Sequence, residues 1–73
     1  MNYSEIKNLV GTANVTVGSD MRYSELRALV EKAAVMENGI LTIVVEPDTL
    51  NTSELKSLAD VGGRYVSFDL TWI

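Results

Sequence analysis

At 73 residues, 47 % of them hydrophobic, the chain has the material for one small core, and a single domain over residues 1–73 is expected. It contains no histidine and no cysteine, which removes the usual general base, any disulfide framework and cysteine-based zinc or thiol chemistry. Ten acidic residues against six scattered basic ones give a net charge of −4, so nucleic acid is repelled at long range and is not an expected partner.

The opening residues, Met1-Asn-Tyr-Ser-Glu-Ile-Lys7, do not form a basic segment followed by a long apolar run. No stretch approaches the ~18 consecutive apolar residues of a membrane span. The expectation is a cytoplasmic protein without a membrane partner.

From Asn2 the chain predicts a short helix. Asn2 offers a side-chain acceptor at the cap, Glu5 lies three residues on to reach back, and Met1 can staple to Ile6. Gly11-Thr12 then turns into a strand, Ala13-Asn-Val-Thr-Val17, and Gly18-Ser19-Asp20 links onward.

The second helix runs from Tyr23 to Glu37. Leu26, Leu29, Val30 and Ala33 fall at three-and-four spacing on one face, with Glu25, Arg27, Glu31 and Lys32 mostly elsewhere. Arg22 stands at its cap position, so the cap is weaker or comes from Asp20 or Ser24 with a shifted start. Gly39 is expected to close the helix, because glycine enters the left-handed conformation without steric cost. Ile40 to Val45 is a β-branched run with both alternating sets largely apolar, the pattern of a strand with neighbours and substantial burial. Pro47 removes a ladder donor and stops it near Glu46.

In the last third Asn51 and Glu54 repeat the cap, Leu50 and Leu55 repeat the staple, and Gly62-Gly63 ends the helix. A phosphate cradle is the other reading of that glycine pair, but it closes a helix rather than opening one. Arg64-Tyr-Val-Ser-Phe-Asp-Leu70 is the third strand.

These three passages are copies of one pattern. Met1-Asn-Tyr-Ser-Glu-Ile-Lys-Asn-Leu-Val10, Met21-Arg-Tyr-Ser-Glu-Leu-Arg-Ala-Leu-Val30 and Leu50-Asn-Thr-Ser-Glu-Leu-Lys-Ser-Leu-Ala59 align without a gap, giving repeats over 1–20, 21–49 and 50–73. Their length is that of leucine-rich repeats, but the Leu-x-x-Leu-x-Leu-x-x-Asn strand signature is absent and helix precedes strand, so the likeness is one of architecture. Successive strands joined by helices are parallel neighbours with right-handed crossovers. The fold class that follows is α/β: three helix-strand repeats in two layers, with a short, mainly parallel three-stranded sheet and its helices on one face.

Matching Val15-Thr16-Val17 to Leu41-Thr42-Ile43 and Val66-Ser67-Phe68 sends Val15, Val17, Leu41, Ile43, Val45, Val66, Phe68 and Leu70 toward the helices. Asn14, Thr16, Ile40, Thr42, Val44, Tyr65, Ser67 and Asp69 make the opposite face, which is half hydroxyl, half apolar and left uncovered.

The hydroxyl column Thr16, Thr42, Ser67 lacks a basic partner for nucleophilic catalysis, so no catalytic residue is assigned. Asp20, Glu46, Asp48 and Asp69 lie where open α/β sheets place ligands, at the C-terminal ends of the strands. A divalent metal is their functional reading, but their spacing matches no loop motif and turn and cap roles account for them, so neither a metal nor a cofactor is assigned. Tyr3 and Tyr23 occupy equivalent repeat positions and are expected to be structural, whereas Tyr65 and Trp72 are candidate binding anchors. The expected function is a protein-protein interaction or self-assembly module, a homo-oligomer among the options, using Thr16, Ile40, Thr42, Val44, Tyr65 and Ser67. The alternatives are a small enzyme or metal- or ligand-binding domain built on the strand-end acids, and an acidic mimic of DNA.

Overall fold

The computed structural model describes residues 2–70. Three helices alternate with three strands: α1 (Tyr3–Leu9), β1 (Val15–Gly18), α2 (Tyr23–Met36), β2 (Leu41–Val44), α3 (Thr52–Gly62) and β3 (Val66–Asp69), with a 3-10 turn over Gly63–Tyr65 between α3 and β3. The sheet order is β1-β2-β3 and both pairings are parallel. Each short crossover carries one helix back over the same face, as the right-handed rule requires.

The register is the one the repeat predicts. Val15, Leu41 and Val66 stand side by side, then Thr16, Thr42 and Ser67, then Val17, Ile43 and Phe68, then Gly18, Val44 and Asp69. Leu41, Ile43 and Val45 are buried under the helices together with Val17. α2 supplies Leu26, Leu29, Val30 and Ala33 to the same core, α3 supplies Leu58, and Val10 joins from the end of α1.

The helix starts follow their sequence signals. In α1 and α3 the full capping box forms: Glu5 N–H donates to Asn2 Oδ1 at 2.9 Å and Glu54 N–H to Asn51 Oδ1 at 2.8 Å, while each glutamate accepts from the cap N–H. At α2 only half a box exists. Glu25 Oε1 accepts from Arg22 N–H at 3.1 Å, but a guanidinium has no acceptor to return the bond.

Other boundaries differ from expectation. α2 is closed by Glu37, which itself takes the left-handed conformation at φ 52°, and not by Gly39. Gly39 has a different task in the turn beyond: at φ 117° its backbone passes so close to Ala13 that a Cβ there would lie 2.5 Å from the Ala13 carbonyl oxygen. The strands are also shorter than their apolar runs, since Ala13, Asn14, Ile40, Val45 and Leu70 lie outside the paired segments. Leu70, expected under the helices, is 49 % exposed, one residue past the end of β3.

One polar cluster ties the two links together and was not foreseen. Ser19 is buried, and its hydroxyl accepts from Glu46 N–H at 2.8 Å and lies 2.6 Å from Thr49 Oγ1. Thr49 sends its own proton to the Glu46 carbonyl at 2.7 Å, so Ser19 is the donor between the two hydroxyls. Ser19→Ala strands the Glu46 N–H and leaves Thr49 without its donor; a loss of about 1 to 3 kcal/mol is expected in urea unfolding, and Ser19→Thr should recover part of it.

Candidate functional site

The faces of the sheet differ sharply. Alternation along each strand puts Val17, Leu41 and Ile43 in the core and turns Thr16, Thr42, Val44 and Ser67 outward, where no helix of the described residues lies. Thr16 and Ser67 are exposed, and Thr42 and Val44 are half-buried by their neighbours in the sheet. Thr42 Oγ1 and Ser67 Oγ share a hydrogen bond of 2.8 Å, so the middle of this face is a row of hydroxyls.

The two ends of the row differ in character. Before β2, Ile40 is 43 % exposed; its N–H donates to Asn14 Oδ1 at 2.9 Å and its carbonyl accepts from Val15 N–H at 3.0 Å, which fixes an apolar side chain at this end. At the far end Gly18 stands beside Val44. A Cβ on Gly18 would lie 2.9 Å from Glu46 Oε1 and 3.2 Å from Asp20 Oδ1, so both carboxylates reach back over the glycine. The outer face is therefore graded from apolar Ile40 through the hydroxyls to the acids Asp20 and Glu46. That approach was missed in the sequence, although a glycine ending a strand is the signal for it, since such positions often mark a close approach.

Tyr65 does not belong to this face. It falls in the 3-10 turn before β3, which lies against α2, and is half-buried against the core. The turn costs β3 its expected first two residues, and with them the alternation that would have turned Tyr65 outward. Trp72, the other candidate anchor, lies outside the described residues. Tyr3 and Tyr23 are structural: both pack against the core, and Tyr3 Oη donates to the Glu25 carbonyl at 3.4 Å, joining α1 to α2.

Asp69, the last residue of β3, stands beside Val44 at this same strand end. Among the described residues no group of three carboxylates is arranged to hold a metal ion. Asp48 lines a shallow depression of about 390 Å³ with Thr49, Leu50, Asn51 and Glu54. Asn51 and Glu54 are already engaged there in the α3 capping box. Gly62 and Gly63 end α3, as expected of a stop.

The outer face thus offers hydroxyl donors and acceptors, apolar patches and an acidic end. Among the described residues, no helix is long and apolar enough to cross a membrane. In comparisons with family models, with curated proteins and with solved structures, nothing matches this chain.

Proposed function

We propose that the chain is a protein-binding module that performs no chemistry of its own and works through the outer face of its sheet. The supporting observation is the one-sided cover of that sheet. Parallel strands are normally shielded on both faces, whereas here Thr16, Thr42, Val44 and Ser67 have helices behind them and no element of the described chain in front. Ile40 and Val44 supply the apolar contact, the hydroxyl row fixes orientation by hydrogen bonds, and Asp20 with Glu46 favours a partner carrying lysine or arginine opposite them. A chain without cysteine needs no oxidising compartment to close disulfides, and we place its action in the cytoplasm.

The test is the double change Ile40→Lys with Val44→Lys. Both side chains point away from the core, so far-UV circular dichroism should match the parent while binding of the captured partner falls by at least about tenfold, or about 1.4 kcal/mol. A folded double variant that retains the parent's interactions would move the working surface off this face.

A further inference from the structure

The intramolecular contacts give α2 two sides. On α2, the Glu25 carbonyl accepts from Tyr3 Oη, Lys32 Nζ donates to the Lys7 carbonyl, and the Met36 side chain lies against Gly11. Residues 25, 32 and 36 share one stripe with Leu29, and that stripe faces the preceding unit. Val30 marks the other side, because a Cβ on Gly62 of α3 would lie 2.8 Å from Val30 Cγ1.

At the two ends of the row these sides are unfinished. Leu9 holds the position of Leu29 and Leu58, both fully buried, yet it is 39 % exposed, since no helix of the described residues lies against that side of α1. Ala59 holds the position of Val10 and Val30, both buried, and is exposed, since no helix follows α3 within the described residues. Repeat arrays ordinarily close their ends with units that have a polar outer side. Here α1 keeps the interior leucine at Leu9, while α3 carries the smaller Ala59 where Val30 stands in α2.

The sheet edges match in the same way. Val15 and Ser19 donate their N–H groups to the Ile40 and Val44 carbonyls, so the intervening Thr16 and Gly18 turn their backbone groups away from β2. Val45 N–H donates to the Asp69 carbonyl, which by the same alternation turns the backbone groups of Val66 and Phe68 away from β2 on the other side. A further β1 placed beside β3 in the internal register would set Val15 beside Val66, Thr16 beside Ser67 and Val17 beside Phe68. Apolar would again meet apolar and hydroxyl meet hydroxyl, as at both pairings inside the chain.

We propose that copies of this chain associate head to tail, β3 and α3 of one against β1 and α1 of the next, so that the interface between its own units continues from copy to copy. The occupant of each end is thus a second copy. Leu9 of one copy covers the α3 side that carries Ala59, and the contact is heterologous, so it builds an open row or a ring instead of stopping at a symmetric dimer. This association uses the ends of the row and is independent of the outer face.

Sedimentation velocity over a range of concentrations tests it. The parent chain is expected to grow past a dimer as concentration rises. Ala59→Arg blocks the α3 end at an exposed helix position, and Thr16→Pro blocks the β1 edge by removing an N–H that β2 does not use. Each variant alone should stay monomeric, and a one-to-one mixture should form a heterodimer and nothing larger, because one intact head meets one intact tail. Leu9→Lys blocks the β1 end by a different route and replaces Thr16→Pro if circular dichroism shows that the proline disturbs the sheet. A parent that remains monomeric at millimolar concentration, a single variant that assembles like the parent, or folded variants that fail to pair when mixed would each overturn the proposal. The Ile40→Lys with Val44→Lys variant should assemble like the parent, so loss of outer-face binding and loss of head-to-tail growth are separately visible.

Discussion

Leu29→Ala should remove about 2 to 5 kcal/mol of stability, the range for a buried leucine truncated in a packed core. Leu29 has no exposed surface and sits among the residues of α2 that meet the sheet and its neighbouring helices. α2 is the middle helix of the row, so the cavity would have packed structure on both sides and little freedom to collapse. Small domains hold roughly 5 to 15 kcal/mol in all, so this one change takes a large share of the margin. Leu9→Ala is the built-in control. Leu9 has the same identity and the same place in the repeat but is 39 % exposed, and its loss should stay below about 1.5 kcal/mol because part of its surface is already in water. Urea titration of both variants measures the difference; equal losses would mean that the repeat position, and not the burial, sets the cost.

The contrast between Leu9 and Leu29 shows what could and could not be read from the chain. A three-fold repeat aligns residues by equivalence, and equivalence delivers the register of all three strands, the caps at Asn2 and Asn51 and the outward turn of Thr16, Thr42 and Ser67. It says nothing of position within the row, so it cannot tell an end leucine from a middle one. Element boundaries escape it for a related reason. Tyr65 and Leu70 flank a period-2 run that is apolar enough to extend through both, yet the chain leaves α3 by a 3-10 turn that absorbs Tyr65, and β3 stops at Asp69 with Leu70 exposed beyond it. Conformational preference assigns the left-handed residue after α2 to glycine, whereas Glu37 adopts it and Gly39 takes a second positive φ at its close pass by Ala13. For the candidate site, the hydroxyl row and Val44 were legible from alternation alone. The reach of Asp20 and Glu46 over Gly18 depends on two separate links arriving at one place, and only the folded chain brings them together.

Gly39→Ala should be about as damaging as the loss of Leu29, by a mechanism unrelated to the core. Two effects act at this residue. A side chain at φ 117° costs about 1 to 3 kcal/mol in backbone strain. The new methyl would also lie 2.5 Å from the Ala13 carbonyl oxygen and 2.7 Å from its carbon, and relieving such overpacking costs about 1 to 3 kcal/mol more. The neighbour cannot easily retreat, because Asn14 accepts from Ile40 N–H and Val15 donates to the Ile40 carbonyl, locking β1 to β2 at this point. The expected total is therefore roughly 2 to 6 kcal/mol. Gly63→Ala separates the two effects: Gly63 also has a positive φ, 56°, but a Cβ there meets no atom within 4 Å, so only the strain remains. Urea unfolding should place Gly39→Ala below Gly63→Ala in stability by at least about 1 kcal/mol. Amide hydrogen exchange should show the added loss concentrated where β1 and β2 begin to pair, at Val15 and Ile40. Equal destabilisation by the two alanines would mean that the close pass of Gly39 over Ala13 does not hold the first two repeats in register.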